Sequence, residues 1–438
     1  MSCNKLFIFL CLGILVPEYV ITQHQNVNTS SEEYSILHPC DSSARKIALG
    51  EHPCDPAGTT EESQILNSCT LSTSINPKSV DIVSIYDFLP THPEIGYVKS
   101  HDQIPFLFEP FPLSVLQDSQ PYQGSFNETF ILSIPQGTAY SFAGWTVVDN
   151  CLIKELIWKN KALGLRHFNQ ANFNNPTKYP GKVAVITLRG ANCYFHWISE
   201  VLGRLALLEM NGIEYDWLYV STSKPFMKDS LALWGIDPAK IIEPSDENTC
   251  IQADELIVPS MISKINAGYT RFASYAPEYI LRYVQEKLTR SVQLDSMKLN
   301  PSIHQEKQFS QRVFISRKDT SIRQMSNEDE VFALFEAQGF ERYCLSKLSI
   351  QEQIQLFSNA QIIVGCHGAG LTNIIFCKPE TLIIELFQAR GSATYWYISQ
   401  MLGLNHKCVP TTNFDTTTNG FRDTHIPLSI VQDILKHL

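Results

Sequence analysis

The chain has 438 residues, room for about two or three domains. Hydrophobic residues make up 44% and charged residues 18%, a globular balance that excludes a largely disordered chain. The formal net charge of −10 argues against nucleic acid as the main partner, because no basic face could dominate.

Lys5 precedes an apolar run from Leu6 to Val16, which fits the core of a signal peptide. The run is short of the roughly 20 residues a bilayer span needs, and Pro17 and Glu18 interrupt it. Residues 1–21 therefore read as a cleaved signal. An uncleaved signal-anchor reaching Ile21 is the alternative, followed by a cytoplasmic protein with an apolar start. Membrane contact is expected only if that segment is an anchor. The 12 cysteines fit an oxidising lumen, in the ER or Golgi. Cys40, Cys54 and Cys69 are placed to form disulfides in a Ser/Thr-rich region, whereas Cys366 and Cys377 read as buried small side chains. Asn28-Thr-Ser30 and Asn127-Glu-Thr129 are N-glycosylation sequons.

Residues 22–78 are polar with few periodic apolar positions and read as a stem. From Val80 to Trp158 short apolar runs alternate with Pro and Gly, predicting short strands that lead into the first domain. A βα pattern begins at Lys182. Strands are expected at Val183 to Leu188, Trp217 to Val220, Ile241 to Ile242 and Glu255 to Val258, with helices over Phe195 to Met210, Lys228 to Trp234 and Pro277 to Arg290. Residues 291–311 lack periodicity and read as a linker between domains 79–290 and 312–438. Beyond it come strands Val313 to Ile315, Phe340 to Cys344, Ile362 to Val364 and Leu382 to Leu386. Helices over Glu328 to Gln338, Ile350 to Asn359, Leu371 to Cys377, Ala393 to Leu402 and Pro427 to Leu438 alternate with them. Such alternation implies an α/β fold with a parallel sheet in each half.

Two segments of the second half suit a bound phosphate. Ser316, Arg317, Lys318 and Arg323 follow the end of strand Val313 to Ile315, and ligands of open α/β sheets bind outside the carboxyl ends of strands. An arginine fork matches a diphosphate. Ser326 or Asn327 is placed to cap the next helix, with Glu328 to Glu330 in its first turn. Strand Ile362 to Val364 runs into Gly365, Cys366, His367, Gly368, Ala369 and Gly370. Glycines there let backbone approach a ligand, and the first amides of the following helix attract phosphate. His367 can donate a hydrogen bond to a phosphate or hydroxyl. Either segment alone also fits a turn without a ligand or a solvated loop. Asn373 is placed to bond phosphate or ribose. Glu385, at a strand end, suits ribose hydroxyls or a simple turn cap.

In the first half, His196 and Glu200 are four apart on one helix and so share a face. An imidazole with an unperturbed pKa of about 6.5 suits proton abstraction at neutral pH. A carboxylate one turn away could orient the ring or act as the base itself. Asn192 lies near the same cleft edge. A core histidine beside Trp197 is the competing reading.

Ser316-Arg317, Arg323, Asn327-Glu328, Leu348-Ser-Ile-Gln-Glu-Gln353, His367-Gly-Ala-Gly-Leu-Thr-Asn373 and Ile383-Ile-Glu-Leu-Phe387 resemble the carboxyl-terminal half of glycosyltransferase family 61. Asn192-Cys-Tyr-Phe-His-Trp-Ile-Ser-Glu200 with Arg204 extends the resemblance upstream, to roughly residues 180–410. The resemblance implies a GT-B fold, two facing Rossmann-like domains behind a polar N-terminal stem. It also implies an inverting transferase that moves a sugar from a nucleotide-sugar donor, UDP-linked, to a hydroxyl of a glycan or glycoprotein acceptor. His196 and Glu200 would be catalytic. Asn192, Arg317, Arg323, His367, Gly368, Ala369, Gly370, Asn373 and Glu385 would hold the donor. The chain lacks an Asp-x-Asp motif after a strand, so no obligatory metal or other cofactor is expected; cations and helix N-termini can serve the diphosphate instead. A nucleotide-sugar epimerase of similar fold and a catalytically silent carbohydrate-binding relative are the rivals.

Overall fold

Five parallel strands make the downstream sheet, in the spatial order Glu341–Tyr343, Arg312–Ile315, Ile362–Cys366, Leu382–Phe387, Asn405–Pro410. In chain order this is 2-1-3-4-5, a doubly wound arrangement whose direction reverses between Arg312–Ile315 and Ile362–Cys366. In doubly wound sheets ligands bind outside the carboxyl ends of the strands at such a reversal. Val313, Phe314, Ile363, Val364, Ile383 and Ile384 are all fully buried. Their continuous apolar runs are what a parallel sheet covered on both faces requires.

The computed structural model describes residues 81–112, 122–149, 151–158, 175–263, 265–266, 276–298, 308–387, 393–411 and 423–438. The signal, the stem, Asn28 and Cys40, Cys54 and Cys69 lie outside them. Among the described residues no helix is long and apolar enough to cross a membrane.

The upstream sheet is mixed. Strands Thr177–Val185, Trp217–Tyr219, Ile241–Ile242 and Cys250–Pro259 run parallel, with Cys250–Pro259 beside Thr177–Val185. On its other side Cys250–Pro259 pairs antiparallel with Thr129–Pro135 and Thr138–Tyr140. Of the β-rich lead-in, strands Gly96–His101, Thr129–Pro135, Thr138–Tyr140, Trp145–Val148 and Cys151–Ile153 belong to this sheet, whereas Ile104–Phe108 and Tyr122–Phe126 pair in a separate three-stranded sheet with Ile265–Asn266. Asn127 of the second sequon is half-buried where two of them meet.

The linker expected over 291–311 is corrected at its start, since a single helix runs through Glu278–Lys298. This helix contacts Leu202–Met210 and Pro225–Trp234 of the upstream half and Ile350–Asn359 and Ala369–Phe376 of the downstream half. Gln285 Nε2 donates to the Cys377 carbonyl at 3.0 Å and Arg282 Nη2 to the Met401 carbonyl at 3.2 Å. One buried apolar cluster joins Ile198, Leu202 and Ile280 to Ile354, Ile374 and Ile375. Polar side chains facing solvent hide that continuity in the sequence.

Local signals set the ends of several helices. Ser349 and Glu352 form a reciprocal capping box at the start of Ile350–Asn359. Gly235 and Gly403, with φ of 93° and 71°, stop Pro225–Trp234 and Thr394–Leu402 in the left-handed conformation glycine favours. The segment expected as a helix over Leu371 to Cys377 is a 3-10 helix, Ala369–Phe376, beginning two residues earlier. Asn327 stands at the N-cap of Glu328–Glu336 without a side-chain cap; its amide instead exchanges two hydrogen bonds with the Ile426 backbone.

The disulfide expectation rests on Cys40, Cys54 and Cys69, which lie outside the described residues. Cys151, Cys193, Cys250, Cys344, Cys366, Cys377 and Cys408 are thiols, and no disulfide forms among the described residues. Cys366 and Cys377 are 3% and 1% exposed, as expected of small core side chains.

Candidate functional site

The two loops that carry the phosphate-type motifs follow the carboxyl ends of the adjacent strands Arg312–Ile315 and Ile362–Cys366. After Arg312–Ile315 the chain turns sharply under Glu328, which is 2% exposed. Ser316 Oγ donates to Glu328 Oε1 at 2.5 Å and the Arg317 amide to Oε2 at 2.8 Å. Glu328 thus braces the loop, a role its place in a helical first turn did not reveal. Arg317 Nη2 donates to the Ile322 carbonyl at 3.0 Å and Nε to the Arg323 carbonyl at 3.3 Å. Arg323 is buried and sits at φ 55°, a left-handed conformation that costs a non-glycine residue about 1–2 kcal/mol. Such strain is kept only where its surroundings hold it, often at ligand sites.

Gly368 has an extended backbone, φ 162°, so its lack of a side chain answers a different need. A Cβ there would run into Arg317 Nη1. Glycine at this point lets the Arg317 guanidinium lie directly against the turn. Ala369 and Gly370 open the 3-10 helix, where the first amides have no acceptor within the helix.

His367 is 5% exposed. Its Nδ1 lies 2.5 Å from Glu385 Oε1, and the other Glu385 oxygen lies 3.0 Å from His406 Nε2. Burial works to raise the Glu385 carboxyl, but the two imidazoles outweigh it and hold it below its ordinary value of 4.5. At 0% exposure, both Glu385 oxygens are hydrogen-bonded to histidines, a use within the fold that the ribose expectation did not include. Asn373 is likewise engaged within the fold. It is fully buried, takes the Tyr194 hydroxyl on Oδ1 at 2.7 Å, and donates through Nδ2 to Gln353 Oε1 at 2.9 Å and the Gly370 carbonyl at 3.2 Å. These bonds fix the Gly-rich turn.

At the upstream sheet, the chain leaves Thr177–Val185 and enters a helix whose first segment is Tyr194–His196, followed by a π-helical segment, Trp197–Val201. π segments are rare and frequent at functional sites, since the extra residue per turn re-aims side chains. His196 Nδ1 lies 3.3 Å from Glu200 Oε2, and Trp158 Nε1 donates to the same oxygen at 2.6 Å. The Trp158 ring meets His196 edge-on, with centroids 5.0 Å apart. Gly190 permits this packing: a Cβ there would lie 2.5 Å from the indole and 3.1 Å from the imidazole. His196 and Glu200 are each 1% exposed. Asn192, by contrast, is exposed and accepts from Ser223 Oγ at 2.9 Å.

Arg204, fully buried, donates to the Thr187 carbonyl at 2.8 Å and twice to the Pro259 carbonyl, at 2.7 and 3.1 Å. It ties the chain leaving Thr177–Val185 to the end of Cys250–Pro259, the two central parallel strands. Burial pushes its guanidinium down to about 9 and Glu200 opposes that, leaving a cation at neutral pH.

The two motifs meet. Besides the Tyr194–Asn373 hydrogen bond, the Tyr395 ring lies 6.1 Å from Phe195 and 5.3 Å from His367. Burial raises the Tyr194 hydroxyl, which keeps it protonated as a donor. Sequence reasoning missed Trp158, Tyr194, Glu328 and His406. Tyr194 and Glu328 lay inside the matched motifs, whereas nothing near Trp158 or His406 marked them. A small cleft between Tyr86, Asn127, Glu155 and Met261 shares no residue with either motif.

Residues 194–384 match the family model described as Glycosyltransferase 61. A curated EGF domain-specific O-linked N-acetylglucosamine transferase of Drosophila melanogaster is 31% identical over 97 residues, 22% of this chain and 18% of that protein. The protein of that name from Mus musculus is 30% identical over 100 residues, 22% and 19% of the two chains, and that from Xenopus laevis is 27% identical over 114 residues, 25% and 22%. The chain thus aligns with less than a quarter of these relatives' lengths. The match covers the His196 helix, the Arg317 loop, the Gly-rich turn and strand Leu382–Phe387 nearly to Glu385, and the resemblance read from those motifs stands.

Proposed function

We propose, from the glycosyltransferase 61 match over residues 194–384, that this chain transfers a sugar from a nucleotide-sugar donor to a hydroxyl of a glycoprotein or glycan. The observation that carries this reading is the meeting of two chemically different motifs, through the 2.7 Å bond from Tyr194 to Asn373. One motif offers a base with a carboxylate beside it; the other offers cationic and amide donors suited to a departing diphosphate.

In the proposed reaction the acceptor hydroxyl gives its proton to His196, oriented by Glu200, and its oxygen attacks the anomeric carbon from the face opposite the leaving group. The bond to the diphosphate oxygen breaks with inversion. Arg317, His367 and the amides of Ala369 and Gly370 stabilise the charge that grows on that oxygen, as preorganised donors do. Arg323 shapes the loop that carries Arg317. Since His196 is 1% exposed, the acceptor reaches it only if the site opens on binding. The two halves would be the lobes of a GT-B fold. A UDP-linked donor and a location in the secretory lumen belong to the same reading.

The relatives' name supplies the first pair to try, N-acetylglucosamine and an EGF domain. Incubating the purified chain with UDP-N-acetylglucosamine and a folded EGF domain should add one sugar mass to the domain, seen by mass spectrometry. A nucleotide-sugar panel monitored by thermal shift should single out the true donor if that pair is inert, because a ligand stabilises the state that binds it. No shift with any donor and no transfer would defeat the reading. Free sugar released from the donor without acceptor would favour an epimerase.

A further inference from the structure

Four side chains from four elements form one buried row behind the Gly-rich turn. Ser399 Oγ, on helix Thr394–Leu402, lies 2.7 Å from His406 Nδ1, on strand Asn405–Pro410. His406 Nε2 lies 3.0 Å from Glu385 Oε2, on the neighbouring strand, and Glu385 Oε1 lies 2.5 Å from His367 Nδ1, at the turn itself. The side chains of His406 and Glu385 are 1% and 0% exposed and that of His367 is 7% exposed. Glu385, His406 and Cys408 also bring three potential metal-donor atoms within 4.8 Å of one another, but both Glu385 oxygens are hydrogen-bonded and burial raises the Cys408 thiol, keeping it protonated.

A buried carboxylate is costly unless its oxygens are satisfied, and a carboxylate only accepts hydrogen bonds. With Glu385 ionised, each ring nitrogen facing it carries a hydrogen. The bond to His367 fixes that ring with Nδ1 inward and Nε2 as the atom left for a ligand. Glu385 alone could swing about its own side-chain torsions. The bond from His406, itself held by Ser399, removes that freedom. Phe387 and Tyr395, with ring centroids 5.4 and 5.3 Å from His367, close the sides.

We infer that His406 is a positioning residue for the leaving group: through Glu385 it holds His367 with Nε2 presented to the diphosphate of a bound nucleotide. The inference rests on the proposed glycosyl-transfer function. His406 stands about 20 residues beyond the matched region, on the sheet's edge strand Asn405–Pro410. Outer partners that orient metal-bound imidazoles are worth about tenfold or more in metal affinity, and the same orienting argument sets the size expected for a phosphate-facing imidazole.

The test compares binding of UDP, and in parallel GDP, with binding of the corresponding monophosphate and nucleoside. It uses the full chain and its His406→Leu, His406→Gln and Glu385→Gln variants, with thermal melting as a check on folding. His406→Leu should lose about tenfold in diphosphate affinity and less than about twofold for the nucleoside. His406→Gln, which can still donate to Glu385, should recover most of the loss. A merely structural role would weaken nucleoside and diphosphate together, and that outcome overturns the inference. Unchanged diphosphate affinity in His406→Leu overturns it as well, while the functional reading survives. If the wild-type chain binds no nucleotide, both fall. Should His406→Leu fail to fold, His406→Gln and Ser399→Ala decide: equal losses for nucleoside and diphosphate in those variants count against the inference.

Discussion

The Tyr194 hydroxyl donates to Asn373 Oδ1 across 2.7 Å, joining the helix that carries His196 to the Gly-rich turn that carries His367. The two residues are 179 positions apart in the chain. Asn373 uses its amide hydrogens on Gln353 and the Gly370 carbonyl, so one buried side chain fixes the turn and ties it to the upstream motif. Tyr194→Phe should leave Asn373 Oδ1 buried without its donor and destabilise the fold by about 1–3 kcal/mol. A urea denaturation midpoint unchanged from wild type would contradict that.

Arg317 and Gly368 should act as one unit. Gly368→Ala puts a Cβ where the Arg317 guanidinium lies, and the guanidinium, as the end of a flexible side chain, can move away at little cost to folding. Both Gly368→Ala and Arg317→Ala should weaken UDP binding by about tenfold to a hundredfold, the size of a charged hydrogen bond of about 1.5–3 kcal/mol. The double variant should lose no more than Arg317→Ala alone. Additive losses, measured by calorimetry, would separate the two residues.

His196→Ala should keep UDP affinity while transfer falls by about 10² to 10⁴, the usual contribution of a general base. Glu200→Gln should slow transfer too, by less if Glu200 only orients the ring and by more if it is the base. Trp158→Phe removes the donor that holds Glu200 Oε2 at 2.6 Å and should give a milder defect in turnover. Near wild-type transfer by His196→Ala moves the base assignment to Glu200.

Glu385 predicts an acid weakness. Its folded carboxyl is held below the ordinary value of 4.5 despite burial, so it contributes stability that is complete above that value. The contribution is lost as pH falls from there through the lower folded value. The denaturation midpoint should therefore drop across that acidic range, and Glu385→Gln should flatten the drop. An equally steep loss in the variant would assign it to other carboxylates.

Most of the downstream half is legible in the amino-acid sequence. Val313 to Ile315, Ile362 to Val364 and Leu382 to Ile384 are short continuous apolar runs, and a strand covered on both faces needs that composition whatever lies around it. The glycines at 368 and 370 and the arginines at 317 and 323 mark the loops because backbone approach and cationic forks are local properties. Helix Glu278–Lys298 is cut short in the sequence reading for the opposite reason: its last two turns are mostly polar and exposed, so the apolar period that reveals a helix fades there.

What only the tertiary structure decided was the use of each polar side chain. Asn373 and Glu385 look the same in sequence whether they face a ligand or one another's neighbours, and only packing showed Tyr194, Gln353, His367 and His406 already filling their hydrogen bonds. The same holds for Trp158, whose bond to Glu200 spans 42 positions. A hydrogen bond across elements leaves no periodic trace, because the partner's spacing is set by the fold and not by the helix or strand that bears it. The chain's local pattern determined its strands and its turns; the meeting of distant side chains determined which polar groups are already engaged within the fold.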